Sequence, residues 1–429
     1  MEQDPELTEE ALVYEKISDL RKRKRRQVTN EKNVPVIGSF LGKGTRDTSS
    51  CEFPHYYSKL VSWALKHTIE SAAWTIHCKQ GFYGTSPVFA SVETALGQSE
   101  ECMVNGQFLL EKDSVRLVVS INRAALQAES LIENKNSMER FFGAVKDAIN
   151  NDNFYRGAKL TFVGKPEFLK IGKRTWEQIV LDSSTKRDIK ANTIDFLRRA
   201  KSLEAMGVPA KRGVLLCGAP GTGKTIICKA LMNAAKGITC ITTNAYLLDR
   251  DNYISDMYEL ATYLRPSIVF IEDIDLIGQR RVEYLWSQAS PLNSLLEALD
   301  GLEEIAGIVT VATTNNLETL DEALSKRPSR FDRIVTLPCP NYDQRQELVA
   351  MLCQRTHLDG HIQEYISTRT QNFTPAQLQE VVFGLAIECG IRLHGRRAGF
   401  LPVNQEDVDL ILSRIRGGRS SRIGFGASV

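Results

Sequence analysis

Four short apolar runs, Gly213–Cys217, Ile238–Ile241, Ile268–Ile271 and Ile308–Thr313, are spaced along the second half of the 429-residue chain. Runs this short, bounded by polar turns, read as buried strands, and the stretches between them carry helical spacing, as in Ile226–Ala235. Strand and helix in alternation predict an α/β fold whose parallel sheet is covered by helices on both faces. Residues 166–210 lead into that core, with Trp176–Asp182 followed by a helix through Ile189–Arg199. After about residue 340 the strands stop and helical periodicity takes over, at Tyr342–Leu352 and Pro375–Ile391. Earlier in the chain the pattern is mixed: Tyr57–Thr75 and Met138–Ile149 have helical spacing, while Pro87–Val92 and Arg116–Asn122 read as strands. The division that follows is a charged arm over 1–33, a separate α/β N-terminal domain over 34–165, and a parallel-sheet core over 166–340. A helical lid over 341–416 and a flexible tail over 417–429 complete it.

Composition changes this picture little. With 42% hydrophobic and 25% charged residues the chain is that of a globular protein. Its 54 basic and 52 acidic residues leave a net charge of +2, which excludes a global field drawing in nucleic acid or an acidic surface. Locally the charge reverses, from Glu2, Asp4, Glu6, Glu9 and Glu10 to the six cations Arg21–Arg26. Such a segment reads as a solvated or intersubunit element, with a nucleic-acid or acidic-partner contact and a localisation signal as the alternatives. Nine cysteines without a Cys-x-x-Cys pair read as reduced thiols. No apolar run approaches the ~18 residues of a membrane span, and the acidic start is no signal peptide, so the expected location is the cytoplasm. His55, His67 and His77 lie too far apart to be read as metal ligands. Residues 34–165 therefore hold no catalytic constellation, and their expected work is recognition of a protein substrate or adaptor.

The chemistry is concentrated after the first buried run. Gly218-Ala219-Pro220-Gly221-Thr222-Gly223-Lys224-Thr225 stands between a strand and a helix opening at Ile226, the context a phosphate loop requires. Its glycines let backbone N–H groups curl around phosphates, the helix N-terminus favours their charge, Lys224 reaches the terminal oxygens and Thr225 holds Mg²⁺. The run ending at Ile271 is followed by Glu272-Asp273-Ile274-Asp275. Carboxylates at the end of such a strand can hold the metal through water and orient an attacking water, which makes Glu272 the metal partner and Asp273 the base. Asp275 is expected to serve the fold or a subunit interface. Asn315, after the run ending at Thr313, is placed to sense a γ-phosphate, with a turn role as the alternative. Arg327, Arg330 and Arg333, around a Pro-Ser turn, supply planar, permanent charge suited to phosphate in a neighbouring subunit, with surface salt bridging as the alternative.

In this order the motifs over residues 176–400 resemble the AAA family proper of the AAA+ superfamily. Lys211–Thr225 looks like its Walker A stretch, Pro266–Asp275 like Walker B, Thr310–Asn315 like its sensor-1 strand, and Arg327–Asp332 like the segment carrying two arginine fingers. The resemblance implies an ATP- and Mg²⁺-dependent ATPase, a self-assembled ring, usually a hexamer, and sites between subunits. The order Glu272-Asp273 inverts the usual Asp-Glu, as in the subgroup of the mitochondrial Rieske-protein translocase and its bacterial relatives. Ser329 replaces a glycine between the fingers, and Pro375-Ala376-Gln377 stands where the family often has Gly-Ala-Asp. Tyr246-Leu247-Leu248 falls where substrate-threading members carry an aromatic, an apolar residue and a glycine. Tyr246 and Leu247 are therefore pore-loop candidates, packing on the sheet edge being the other reading. The expected function is remodelling or unfolding of a protein chosen by the N-terminal domain; the rivals are a nucleic-acid motor or loader and an ATP-controlled assembly switch or scaffold.

Overall fold

The computed structural model describes residues 37–207, 211–248, 252–276, 307–317, 331–354, 358–392 and 403–417, together with Leu295 and Leu299. Contacts divide the chain into two units, 1–154 and 155–429.

The first unit is built on an antiparallel sheet. Strands β1 (Arg46–Glu52), β2 (Thr75–Gln80), β3 (Val88–Ala95), β4 (Gln98–Lys112), β5 (Val115–Asn122) and β6 (Ala125–Leu131) pair in the order β1-β6-β5-β4-β2. β3 pairs with β4 alone, along its N-terminal half, and β2 pairs along the C-terminal half. Alternation sends Leu109 and Val118 to one face, beneath Phe40 and Leu41 of the short helix α1 (Ile37–Leu41). Phe108, Leu110, Leu117 and Val119, the alternate positions, are also buried. Helices α2 (Ser58–Ser71) and α3 (Lys135–Asn151) pack on each other and on this sheet. They contribute Leu60, Leu65 and Ile69 from α2 and Met138, Phe142 and Val145 from α3 to the core.

A seven-stranded sheet organises the second unit, in the order β13-β9-β12-β11-β10-β7-β8. Its strands are β7 (Lys159–Phe162), β8 (Pro166–Phe168), β9 (Lys211–Cys217), β10 (Thr239–Asn244), β11 (Ser267–Glu272), β12 (Ile308–Thr314) and β13 (Arg333–Thr336). All pairings are parallel except the β7–β8 hairpin. Both β11 and β12 are buried on both faces, except for Glu272 at the end of β11, which explains their continuous apolar character. β7 corrects the expected boundary at residue 165. Leu160 and Phe162 are buried where β7 runs parallel to β10, so the second sheet begins before that boundary. Its signal was weak because a strand of four residues follows directly on the turn around Arg156-Gly157.

Two helices stand where one was expected through Ile189–Arg199: α4 (Ser183–Ala191) and α5 (Ile194–Arg198). The break falls at Asn192-Thr193, whose side chains bond back to Asp188 O and Ile189 O at 2.8 and 2.7 Å. A short α6 (Ala200–Ala205) follows, then α7 (Lys224–Ala234) and α8 (Tyr253–Tyr263) between the parallel strands. α7 buries Ile227, Cys228, Leu231 and Met232 in a core shared with Val214, Leu216, Phe270 and Val311. The lid is α9 (Tyr342–Cys353), α10 (Gly360–Arg369), α11 (Pro375–Arg392) and α12 (Gln405–Gly417) around Val349, Ile366, Leu378, Val382 and Leu412. Asn341 and Gln344 close a capping box that starts the lid. No helix among the described residues is long and apolar enough to cross a membrane.

Candidate active site

β9 lies between β12 and the edge strand β13, and the loop after it is held from both sides. Gly218 N–H donates to Thr314 O of β12 at 3.3 Å, and Leu337, just past β13, donates to Cys217 O at 2.7 Å. A Cβ at Gly218 would stand 2.7 Å from Leu337 O, so the neighbouring backbone fixes glycine there. Gly221 and Gly223 take φ of +84° and +98°, values that side chains resist, and these turns aim the loop at the N-terminus of α7. Gly223 caps that helix, accepting the Ile227 N–H at 2.9 Å. Ala219, Pro220 and Gly221 are exposed along the rim, Thr222 is buried, and Ile226 is 37% exposed on the outer side of α7.

Inside the loop Lys224 is 6% exposed, and its ammonium donates to Gly218 O at 2.6 Å and Ala219 O at 3.2 Å. Burial pushes its pKa down, while the negative charges of Asp273 and Asp275 hold it up. An ammonium that is buried and, among the described residues, bonded only to carbonyl dipoles, at the head of a helix, is a site poised for anionic oxygen. One residue on, Thr225 Oγ1 donates to Glu272 Oε2 at 3.3 Å. A hydroxyl beside a carboxylate is the oxygen pair a small divalent cation takes.

Glu272 and Asp273 leave the carboxyl end of β11, and β12 beside it ends in Thr313-Thr314, with Asn315 just beyond. Asp273 has a left-handed φ of +56°, and its N–H donates to Thr313 Oγ1 at 2.9 Å. The Asn315 amide donates to Asp273 Oδ1 at 3.3 Å, and the Asn315 N–H donates to Asp275 Oδ1 at 3.2 Å. Lys224, Thr225, Glu272, Asp273 and Asn315 thus meet at the carboxyl ends of three adjacent parallel strands, where open α/β sheets place their ligands. The residues suit Mg²⁺ and a polyphosphate: Lys224 and the loop N–H groups for the phosphates, Thr225 and Glu272 for the cation.

Other expected residues lie elsewhere. Tyr246 and Leu247 form a single helical turn after β10, where Asn244 Oδ1 accepts the Tyr246 N–H at 3.0 Å. Tyr246 is 56% exposed. Arg327 and Arg330, like Arg21–Arg26, fall outside the described residues. Asp332, at the start of β13, accepts the Gly213 N–H at 2.8 Å.

Two contacts escaped the reading of the sequence. Thr313 is one: each buried hydroxyl of β12 needs a partner, and Thr313, next to the strand end, is the one whose partner is Asp273. The lid supplies the other. Ala376 N–H donates to Gly221 O at 3.2 Å, and a Cβ at Gly221 would lie 2.9 Å from both Ala376 Cβ and Thr374 Oγ1. Thr374 and Gln377 cap each other at the start of α11, a pattern visible in Thr374-Pro-Ala-Gln377.

Residues 214–339 match the model of the ATPase family associated with various cellular activities (AAA). The ATP-dependent zinc metalloprotease FtsH of Ureaplasma parvum is 34% identical over 196 residues, 44% of this chain and 27% of its own length. The FtsH of Acidothermus cellulolyticus is 33% identical over 240 residues, 53% of this chain and 35% of its own. The proteasome-activating nucleotidase of Sulfurisphaera tokodaii is 32% identical over 195 residues, 43% of this chain and 50% of its own. A chain from the solved structure described as "Structural Basis for Katanin Self-Assembly" aligns with 56% of this chain and 85% of its own, at a TM-score of 0.45 and 24% identity. The chain thus spans half or less of the length of each of these three sequence relatives.

Proposed function

We propose, from the premise that the chain carries an ATPase domain of the AAA family, that it hydrolyses Mg²⁺-bound ATP as a self-assembled ring, of hexameric form in this reading, and remodels or unfolds a protein. The single observation carrying this reading is the meeting of Lys224, Thr225, Glu272, Asp273 and Asn315 at one end of three adjacent strands. Lys224 and the loop backbone bind the phosphates, and Thr225 and Glu272 hold the cation, which when bound draws charge off the phosphate oxygens. Asp273 takes the proton of the attacking water and Asn315 orients that carboxylate. Arg327 and Arg330 complete the site from a neighbouring subunit. The first unit selects the protein substrate or adaptor, and the place of action is the cytoplasm.

Motion enters through the lid. Thr374 and Ala376 touch the phosphate loop at Gly221, so a change in the loop on binding or losing nucleotide alters the seat of α11. Tyr246, exposed on the turn after β10, is placed for gripping polypeptide. Comparing Tyr246→Ala with the parent tests this: ATP turnover is retained while unfolding of a fluorescent protein bearing an unstructured tail is lost. Unfolding at the parent rate would remove the threading step and leave the ATPase assignment intact.

A further inference from the structure

Asp275 stands two residues past the proposed base, and it is more deeply buried than either acid before it. It is 4% exposed, whereas Glu272 and Asp273 are only partly buried. A carboxylate is costly to bury unless its oxygens are occupied. Here Oδ1 accepts the backbone N–H of Asn315 at 3.2 Å, and Lys224 feels its charge. Asn315 in turn sends its side-chain amide to Asp273 Oδ1 at 3.3 Å. Thr313, two residues earlier on the same strand end, accepts the Asp273 N–H at 2.9 Å. Asp273 is therefore held at both its backbone and its carboxylate by β12, and β12 is held in turn by Asp275.

We infer that Asp275 is a positioning residue for hydrolysis: its carboxylate clamps the Asn315 backbone, and the clamped Asn315 amide sets the aim of the short acid Asp273. The inference rests on the reading of Asp273 as the base. It gives the inverted acid order a structural account. An Asp is one methylene shorter than a Glu, so a base of this length depends more on where its backbone and its orienting partner stand. The backbone here takes φ of +56°, a left-handed conformation that Asp tolerates better than most residues. The clamp acts on Asn315 through a backbone N–H, so an uncharged acceptor of the same shape at position 275 retains it.

The experiment measures steady-state ATP hydrolysis by the full chain with Mg²⁺ present, for the parent and for Asp275→Ala, Asp275→Asn, Thr313→Val and Asp273→Asn. Asp275→Ala is expected to lower kcat by about tenfold or more with KM for ATP nearly unchanged, since aim and not binding is lost. Asp275→Asn, which keeps an acceptor oxygen for the Asn315 N–H, recovers most of that loss. Thr313→Val shows the same split between kcat and KM as Asp275→Ala. The proposal is overturned if Asp275→Ala turns over within about twofold of the parent, or if Asp275→Asn loses as much as Asp275→Ala. It is also overturned if KM rises with kcat preserved. Should Asp275→Ala not fold, Thr313→Val and Asp275→Asn decide on the same criteria: a Thr313→Val kcat at the parent level, or a collapsed kcat in a folded Asp275→Asn, contradicts the clamp. Asp273→Asn separates the two readings, because full turnover in that variant would sink the assignment of the base and not the clamp alone.

Discussion

The two sheets of this molecule spend their strand ends differently. In the parallel sheet of the second unit, the carboxyl ends of β9, β11 and β12 carry Gly218, Glu272, Asp273 and Asn315, and bonds cross between the strands there, from Gly218 to Thr314, from Asp273 to Thr313 and from Asn315 to Asp273. In the antiparallel sheet of the first unit the cross-strand polar contacts are scattered along the strands, uncharged pairs such as Gln80 to Gln107 at 3.0 Å, Gln107 to Ser120 at 3.0 Å and Asn105 to Asn122 at 3.3 Å beside the ion pairs Arg46–Glu129 at 3.0 Å and Arg116–Glu111 at 3.1 Å. A parallel sheet points all its strand ends the same way and so can gather charge at one place. An antiparallel meander distributes its ends to both sides. Polar groups in the first sheet therefore secure register and stability, whereas in the second they hold chemistry.

The sharpest way to break that comparison is at Gly221. Gly221→Val puts a branched side chain at φ +84° and into Thr374 and Ala376, so ATP affinity and turnover are expected to fall by at least about tenfold. Nucleotide binding and ATPase assays on the variant check this, and a thermal scan should leave the first unit's transition in place. Leu117→Ala tests the other side. Leu117 is fully buried, and truncating it is expected to cost about 2–5 kcal/mol of the first unit's stability while ATP turnover persists. Chemical denaturation followed alongside ATPase activity reads both. The smallest effect belongs to Gln107→Ala, which strips partners from Gln80 and Ser120 and is expected to cost about 1 kcal/mol, again without altering turnover. Turnover lost in step with either first-unit variant would mean that the two units do not divide the work as described.

How legible each sheet was follows from the same difference. Gly218–Thr225 declared itself because phosphate binding needs glycines, Lys224 and Thr225 at fixed spacing, and because β9, β11 and β12 each carry a continuous buried run. β4 did not. Its 15 residues serve β2 and β3 in turn along one edge, and Gly106 at φ +148° interrupts the alternation that marks a strand. A Cβ there would meet Met103 Sδ and, from a strand distant in sequence, Gln80 O, both at 2.8 Å. The same limit applies within the site. That Glu272 and Asp273 are acids at a strand end is written locally. That Asp273 is held by Thr313 and Asn315, some forty residues on, and that Ala376 bonds to Gly221, are facts of packing.

The central claim is that Asp273 is the base of an ATPase site whose phosphate loop works independently of it. The most direct measurement compares Asp273→Asn with the parent for nucleotide affinity and for single-turnover hydrolysis on the same preparation. The account predicts ATP bound as tightly as in the parent, with hydrolysis slowed by about 10²–10⁴-fold. Hydrolysis at the parent rate in a variant that binds ATP normally would contradict it, and the base would have to be sought elsewhere.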